Sequence, residues 1–317
     1  MQNDKGGIFL CVACAIAAIV FVLTSNDTYY VQVVIWISIN ALLAAALRFV
    51  LLIGELNIAT AAFFGIGAYA AAVASTLFEM PLVLSLLIAP IVAAVLSVVF
   101  GWITLRTKGP YFLLISFAFT EVVRLIYTKT DLVGGNSGIV GIYGPIELDP
   151  WFPAIVVSLL MATLFGLYAI ERSSLGKLFK AIQNNEDIPR SVGINVMAIK
   201  VLCVAIAAAA LGLGGGLHAF TNHVITPGDF TFFVAVLALT YVKIGGEEHI
   251  VGAVLGAVLM TLVAQWLLGF GIGENIFYGA TIIFAMLLMP KGLIGVVDQV
   301  RRLAPTAGAR RRGKEAV

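Results

Sequence analysis

The amino-acid sequence predicts an all-α fold, a polytopic membrane helix bundle of about ten spans (8–10) with both ends on the cytoplasmic side. Three observations predict it. Of the 317 residues 61% are hydrophobic and only 11% charged, whereas a soluble globular chain is about a quarter charged. The apolar residues come in runs long enough to cross hydrocarbon, which takes about 20 residues per helix. The few Lys and Arg then fall on one side of the topology that those runs imply.

The first run, 7–24, follows MQNDKGG. It is long for a signal-peptide core, and TSNDTYY after it has no small-x-small cleavage site, so an uncleaved span is expected. Cys11 and Cys14 inside it form a CxxC with no His, Asp or second CxxC nearby. Two small residues packing in a membrane helix explain the pair better than a dithiol or metal site. The second run is 30–47, and Phe49 to Gly54 is an apolar remnant too short to cross anything. Around GELNIATAAFFGIGAY the chain is expected to be broken or re-entrant, which membrane depth permits only where protein or a cavity covers the backbone. Further runs lie at 58–78, 81–105, 111–127, 151–170, 201–220, 230–244, 250–268 and 276–289. Gly212 to Gly216 and Gly252 to Gly256 have the spacing that lets helix backbones approach closely.

With ten spans, the inside set collects Lys5, Arg48, Arg106, Lys108, five bases between 171 and 200, Lys243 and seven bases of the tail, 17 of the 19 in the chain. Lys129 falls outside and Arg124 within a span, while Asp27, Glu79, Asp131, Glu147, Asp149, Asp229 and Glu274 gather outside. The organisation is a transmembrane domain over 1–290 with a hydrophilic loop at 171–200, and a basic cytoplasmic tail over 291–317 suited to anionic lipid.

The chemistry carried by the chain is sparse. No GxxxxGK[ST] appears, so ATP hydrolysis would need another chain, and HExxH, GxSxG and metal-spaced His/Cys clusters are also missing. No cofactor or metal is implied, and nothing points to nucleic acid. His218, His223 and His249 are isolated at span ends. Transport, rather than catalysis, fits. Within the spans Glu121 and Arg124 stand three residues apart on one helical face. A charge at mid-membrane costs about 2.5–3.5 kcal/mol on insertion scales, so these two either pair structurally or line a polar path.

The loop Glu171 to Lys200 interrupts this apolar chain with a pattern. Ser173 or Ser174 can cap a helix, and Leu175, Leu178, Phe179 and Ile182 follow at i, i+3, i+4 and i+7. Asn185 or Asp187 can cap a second helix with Pro189 in its first turn, and Gly193 and Asn195 suit its end. Such a stripe can lie in the lipid interface, pack on its own bundle, or insert into the groove of a separate protein. Periodicity does not choose among the three.

At these residues a resemblance enters. AAFFGIGAYAAA (Ala61 to Ala72), KGPYFLLISFAFTEVVRLI (Lys108 to Ile126), GGNSGIVGI (Gly134 to Ile142) and SLGKLFKAIQNNEDIPRSVGIN (Ser174 to Asn195) are followed in order by GGLHAF, ITPGDFTF and MPKGLIGV. Over roughly 35 to 297 the chain resembles the membrane permease subunits of branched-chain amino acid ABC importers, LivM type. The resemblance implies that the loop is a coupling helix seated in a cleft of an ATPase subunit. Leu175, Gly176, Leu178, Phe179, Ala181, Ile182, Asn185, Glu186 and Gly193 would form that contact. It also implies a second permease subunit (a heterodimer), two ABC ATPase subunits and a periplasmic solute-binding protein as partners, in a bacterial inner (plasma) membrane. Thr120, Glu121, Arg124, Asn136 and Ser137 are the candidates for the translocation path. Two segments depart from the family pattern: Asn57, Ile58, Ala59 and Thr60 replace a serine-leucine-glycine-histidine, and Glu247, Glu248 and His249 replace a glycine-serine stretch. Urea, amide and aromatic-acid importers share this architecture, and a self-sufficient secondary transporter or a membrane assembly factor would satisfy the composition alone.

Overall fold

Helix α1 (Thr28–Leu51) contains no Gly or Pro and is buried almost continuously from Ala41 to Val50. Four of the other long helices pack against it. The computed structural model describes residues 27–144, 151–268 and Ala280. The predicted spans 7–24 and, Ala280 apart, 276–289 lie outside the described residues, as do Cys11, Cys14 and the tail.

The chain continues as α2 (Thr60–Thr76), α3 (Leu82–Thr104), α4 (Pro110–Lys129), α5 (Phe152–Arg172), α6 (Ser174–Asn184), α7 (Asp187–Ser191), α8 (Val196–Asn222), α9 (Phe232–Gly245) and α10 (Ile250–Leu268). Each of the eight predicted stretches between 30 and 268 is thus helical. Five helices, α1, α3, α4, α5 and α8, are long and apolar enough to cross a membrane. α9 and α10 form a pair bent by 112° across Gly246 to His249, and α2 is a shorter apolar helix. Against the all-α expectation, a two-stranded antiparallel piece also forms, β1 (Ile139–Val140) on β2 (Val224–Ile225), with Ile139 opposite Ile225. Gly138 immediately before it has φ +75°, and a Cβ there would lie 1.9 Å from the Ile225 carbonyl oxygen.

The expected break after α1 is present. Gly54, at φ +80°, closes a turn, and the chain then runs non-helically to Ala59. This stretch enters the bundle before α2 begins. Its Ile58 N–H donates to Ser116 Oγ (3.1 Å), and Thr120 Oγ1 donates to Ile58 O (3.2 Å), about two to three turns into α4. Asn57 Oδ1 accepts from Ala59 N at 2.9 Å, and Thr60 Oγ1 donates to Asn57 O at 2.7 Å. The residues that depart from the family pattern therefore satisfy irregular backbone where no water would. The 17 residues of α2 span only about 25 Å, short of the ~30 Å of hydrocarbon.

α2, α3 and α8 pack at backbone distance. A Cβ on Gly67 would sit 2.2 Å from Gly212 O, one on Gly212 2.7 Å from Ala89 O, and one on Gly215 1.9 Å from Phe64 O. The second glycine pair works differently, since Gly256 lies under Tyr241 O and Gly245 under Gly252 O at the α9–α10 crossing. Aromatic rings fill the remaining space, with Phe63, Phe100, Phe112 and Phe119 in one cluster and Phe64, Tyr69, Tyr127, His218 and Phe230 in another.

Candidate functional site: a charged end and a helical hairpin

One end of the bundle gathers the ionisable groups, and ion pairs explain how. Arg48, in the last turn of α1, is 1% exposed. Its guanidinium donates to both oxygens of Glu171 (2.5 and 3.0 Å) and to the carbonyls of Glu247 (3.0 Å) and Glu248 (2.8 Å). The fork geometry suits Arg and no other side chain. Lys180 joins from α6 at 3.1 Å from Glu171. Glu247, in the segment that replaces a glycine-serine stretch, also pairs with Lys243. The backbone carbonyls of that segment, not its side chains, close the bent α9–α10 junction onto α1.

The hydrophilic loop forms the two helices expected of it. Ser173 Oγ accepts from Leu175 N (3.2 Å) to start α6, and Asn185 Oδ1 accepts from Asp187 N (2.9 Å) to start α7. Pro189 falls in the first turn of α7. Gly193 ends the hairpin at φ +83°, whereas Asn195 begins the next helix, its Oδ1 accepting from Ala198 N at 3.1 Å. Gly176 sits where a Cβ would lie 1.9 Å from Glu171 O, so the elbow between α5 and α6 admits only glycine.

The apolar stripe of α6 turns inward. Phe179 is fully buried, edge-on to Phe49 at 5.7 Å between ring centroids, and Ile182 is 2% exposed. Leu175, Leu178 and Ala181 are half-buried beside them, and Gln183 Nε2 donates to Leu51 O at the end of α1. In the isolated chain the stripe packs on its own bundle, with Phe179 and Ile182 buried within it. The apolar groups left outside are Ile188 (62% exposed) and Val192 (73%) on and just after α7. Around them lie exposed Asn184, Asn185, Arg190 and Gly193.

Glu186, between the two helices, pairs with Lys200 (2.6 Å) and Lys108 (2.6 Å). Burial works to raise its pKa, but the hydrogen bonds and charges of Lys108 and Lys200 outweigh it and hold the carboxyl below the ordinary 4.5. A depressed carboxylate stabilises the fold above its unfolded value and loses that contribution as pH falls through the folded one. Amide hydrogen exchange in α6–α7, taken relative to the intrinsic rate at each pH, is therefore expected to stay flat from neutrality down to about pH 5 and to rise only below. A rise between pH 8 and 6 would contradict the pairing.

The path candidates separate. Thr120 is fully buried and spends its hydroxyl on Ile58 O and Ser116 O, so it supports the break before α2. Glu121 and Arg124 pair at 2.7 Å on the outward side of α4, 27% and 33% exposed. Asn136 and Ser137 are exposed in a 3-10 turn (Gly135–Ser137) beyond the far end of α4. The structure does not bring these four to one point. A cleft of about 410 Å³ between α2, α3 and α4 is lined by apolar side chains with Tyr69 and Tyr127, and it suits an apolar group. Sequence reasoning placed Arg48, Glu171 and Lys200 on one side but did not see their partners, and it missed Glu55. Ionisable residues at the edges of apolar runs were the available signal.

A family model described as "Branched-chain amino acid transport system / permease component" matches residues 29–288. The high-affinity branched-chain amino acid transport system permease protein LivM of Escherichia coli (strain K12) is 26% identical over 271 residues, 76% of this chain and 64% of that protein. A probable LivM of Methanocaldococcus jannaschii is 26% identical over 57% of this chain and 55% of its own length. The ribose import permease protein RbsC of Haemophilus influenzae is 24% identical over 70% of this chain and 72% of its own length. The chain thus spans a little under two thirds of the length of the E. coli LivM. No solved structure matches it. With its apolar helices and a match that runs through every described helix, the chain is a multi-pass membrane protein and belongs to the branched-chain amino acid transport system permease component family.

Proposed function

We propose that this chain is one of two permease subunits of an ATP-driven importer, and that α6–α7 is the element by which a separate ATPase acts on it. The observation that carries the proposal is the helical hairpin Ser174–Ser191, fastened by Arg48, Glu171, Lys180 and Lys200 and presenting Ile188 and Val192 outward. An exposed apolar pair on a charged, rigidly held hairpin suits insertion into a cleft of another protein. The charged end is then cytoplasmic, about ten spans cross the membrane with both termini inside, and the permease domain runs over 1–290 ahead of the tail at 291–317. Two ATPase subunits and a periplasmic solute-binding protein complete the assembly in a bacterial inner membrane, and ATP is hydrolysed on the ATPase chains. Closure of the ATPases would move the hairpin and switch access to the cavity as a rigid-body change.

Glu121 and Arg124 support the second permease. An ion pair part-exposed on a lateral face of an apolar helix is costly against lipid. A subunit covering α4 would remove the pair from hydrocarbon and enclose a path beside it. The solute proposed is a branched-chain amino acid, following the names of the LivM relatives. Ribose is the second reading, because RbsC proteins match over 70% of the chain. With purified complex and binding protein, leucine is expected to stimulate ATP hydrolysis and ribose is not, and the reverse result would overturn the solute assignment.

The docking surface has its own test. Ile188→Asp and Val192→Asp are expected to leave the chain inserted with an unchanged melting temperature, while ATPase recovery on co-purification falls about tenfold, the effect of losing a hot spot of ~1.4 kcal/mol or more. Phe179→Asp is expected instead to lose the folded chain, since truncating a buried Phe alone costs about 3–5 kcal/mol. Full ATPase recovery with both surface variants would show that α7 is not the contact.

A further inference from the structure

Lys200 opens the long helix α8 with a side chain only 3% exposed. Its Nζ stands 3.0 Å from Glu55 Oε1 and 2.6 Å from Glu186 Oε1. The second oxygen of each carboxylate goes elsewhere. Glu55 Oε2 accepts from Gly109 N (3.3 Å), the residue that starts α4, and Glu186 Oε2 meets Lys108 Nζ (2.6 Å) and Arg190 (3.7 Å). One ammonium therefore joins the α6–α7 bend, the start of α8, the head of the broken segment before α2 and, through Glu55, the start of α4.

Stability alone does not account for this arrangement. A buried ion pair is often no more stabilising than apolar side chains of the same volume, and its distinctive property is that it fixes geometry. The geometry fixed here is directional. Glu55 begins the extended stretch whose Ile58 backbone is held by Ser116 and Thr120 of α4 and which leads directly into α2. α4 in turn carries the Glu121–Arg124 pair in the turn that follows Thr120. A displacement of Glu186 thus has a continuous chain of charge-assisted and hydroxyl hydrogen bonds to follow, and it reaches both helices at their inner ends together.

We propose that Lys200 is a positioning residue for transport, the hub through which movement of the α6–α7 hairpin is delivered to the Glu55–Thr60 segment and to α4. The proposal rests on the importer reading above. It names a residue that touches neither the ATPase surface nor the path and acts through Glu55 and Glu186.

The test uses the full complex, co-expressed with its second permease and ATPases and reconstituted in proteoliposomes with binding protein. Leucine uptake and ATP hydrolysis are measured on the same vesicles for Lys200→Met, Glu55→Gln and the double variant. The double variant removes both charges of the pair, so no uncompensated partner remains between them. Expected is full assembly, a melting temperature for the double variant no lower than that of Lys200→Met, continued ATP hydrolysis, and about a tenfold fall in leucine taken up per ATP. The double variant loses no more than Lys200→Met alone, because both act at one hub. Should Lys200→Met fail to accumulate, Glu55→Gln decides, since Lys200 then keeps Glu186. An assembled double variant with wild-type uptake per ATP overturns the hub, as do single losses that multiply. A wild-type complex in which neither leucine nor ribose, each offered with its binding protein, drives ATP hydrolysis overturns the importer reading and the hub with it.

Discussion

Arg48→Met is expected to prevent accumulation of the folded chain. The guanidinium is 1% exposed and satisfies the Glu171 carboxylate together with the carbonyls of Glu247 and Glu248. Methionine fills similar volume but leaves a carboxylate that is 11% exposed with Lys180 as its remaining ion-pair partner, and two carbonyls without this donor. Breaking a buried pair from one side costs about 3–5 kcal/mol, comparable with the whole stability of many folds. The loss is not local. Arg48 joins the end of α1, the end of α5 and the junction before α10, so all three lose their relative placement at the charged end. Detergent-solubilised yield and melting temperature measure it. Wild-type values for Arg48→Met would mean that the cluster is held by packing alone. Lys at the same position rescues little, because an ammonium cannot reproduce the fork that reaches both carboxylate oxygens and both carbonyls.

Gly215→Ala is the second large effect expected. The added methyl would lie 1.9 Å from Phe64 O and 2.8 Å from Ala68 N, both backbone atoms of α2 that cannot rotate away. The helices must separate, and overpacking of this kind costs about 1–3 kcal/mol or more. Gly216→Ala is the control, since its Cβ would meet side-chain atoms, Ala89 Cβ and Leu86 Cδ2 each at 3.2 Å and Ala71 Cβ at 3.4 Å. Melting temperatures should fall clearly for Gly215→Ala and little for Gly216→Ala. Equal shifts would show that the α2–α8 contact is not the tight one.

This pair shows what the sequence could and could not convey. The GxxxG spacing correctly pointed to close helix contact but nominated Gly216, whereas the backbone approach falls on Gly212 and Gly215, which meet different neighbours. Spacing reports that a helix can be approached, and only the partner helix decides at which residue. α6 repeats the lesson. Its caps, its length and its stripe follow from interactions within one or two turns, and so Ser173, Phe179 and Ile182 were legible. The side to which the stripe points depends on Phe49, 130 residues earlier in the chain. Contacts of that range leave no periodic trace. The break before α2 was visible as an apolar remnant too short to span. Its satisfaction by Ser116 and Thr120 was not, because those hydrogen bonds join segments about 60 residues apart.

The charged end was legible as a side and illegible as a network. Counting Lys and Arg placed Arg48, Lys108, Lys180, Arg190, Lys200 and Lys243 together, and the ion pairs gather them at one end of the bundle. Which base meets which acid depends on helix directions and rotations that composition does not encode. The result is a hairpin whose apolar stripe fastens it inward, whose ions tie it to α1, α4, α5 and α8, and whose remaining apolar pair faces out.

Reconstitution tests the central claim most directly. Proteoliposomes are loaded with ATP and prepared either with this chain alone or with its second permease and ATPases, and labelled leucine is offered with the binding protein. The account predicts accumulation only in the complete assembly, dependent on ATP hydrolysis and lowered about tenfold by Val192→Asp. Leucine accumulation by this chain alone, driven by an ion gradient and indifferent to Val192→Asp, would contradict it.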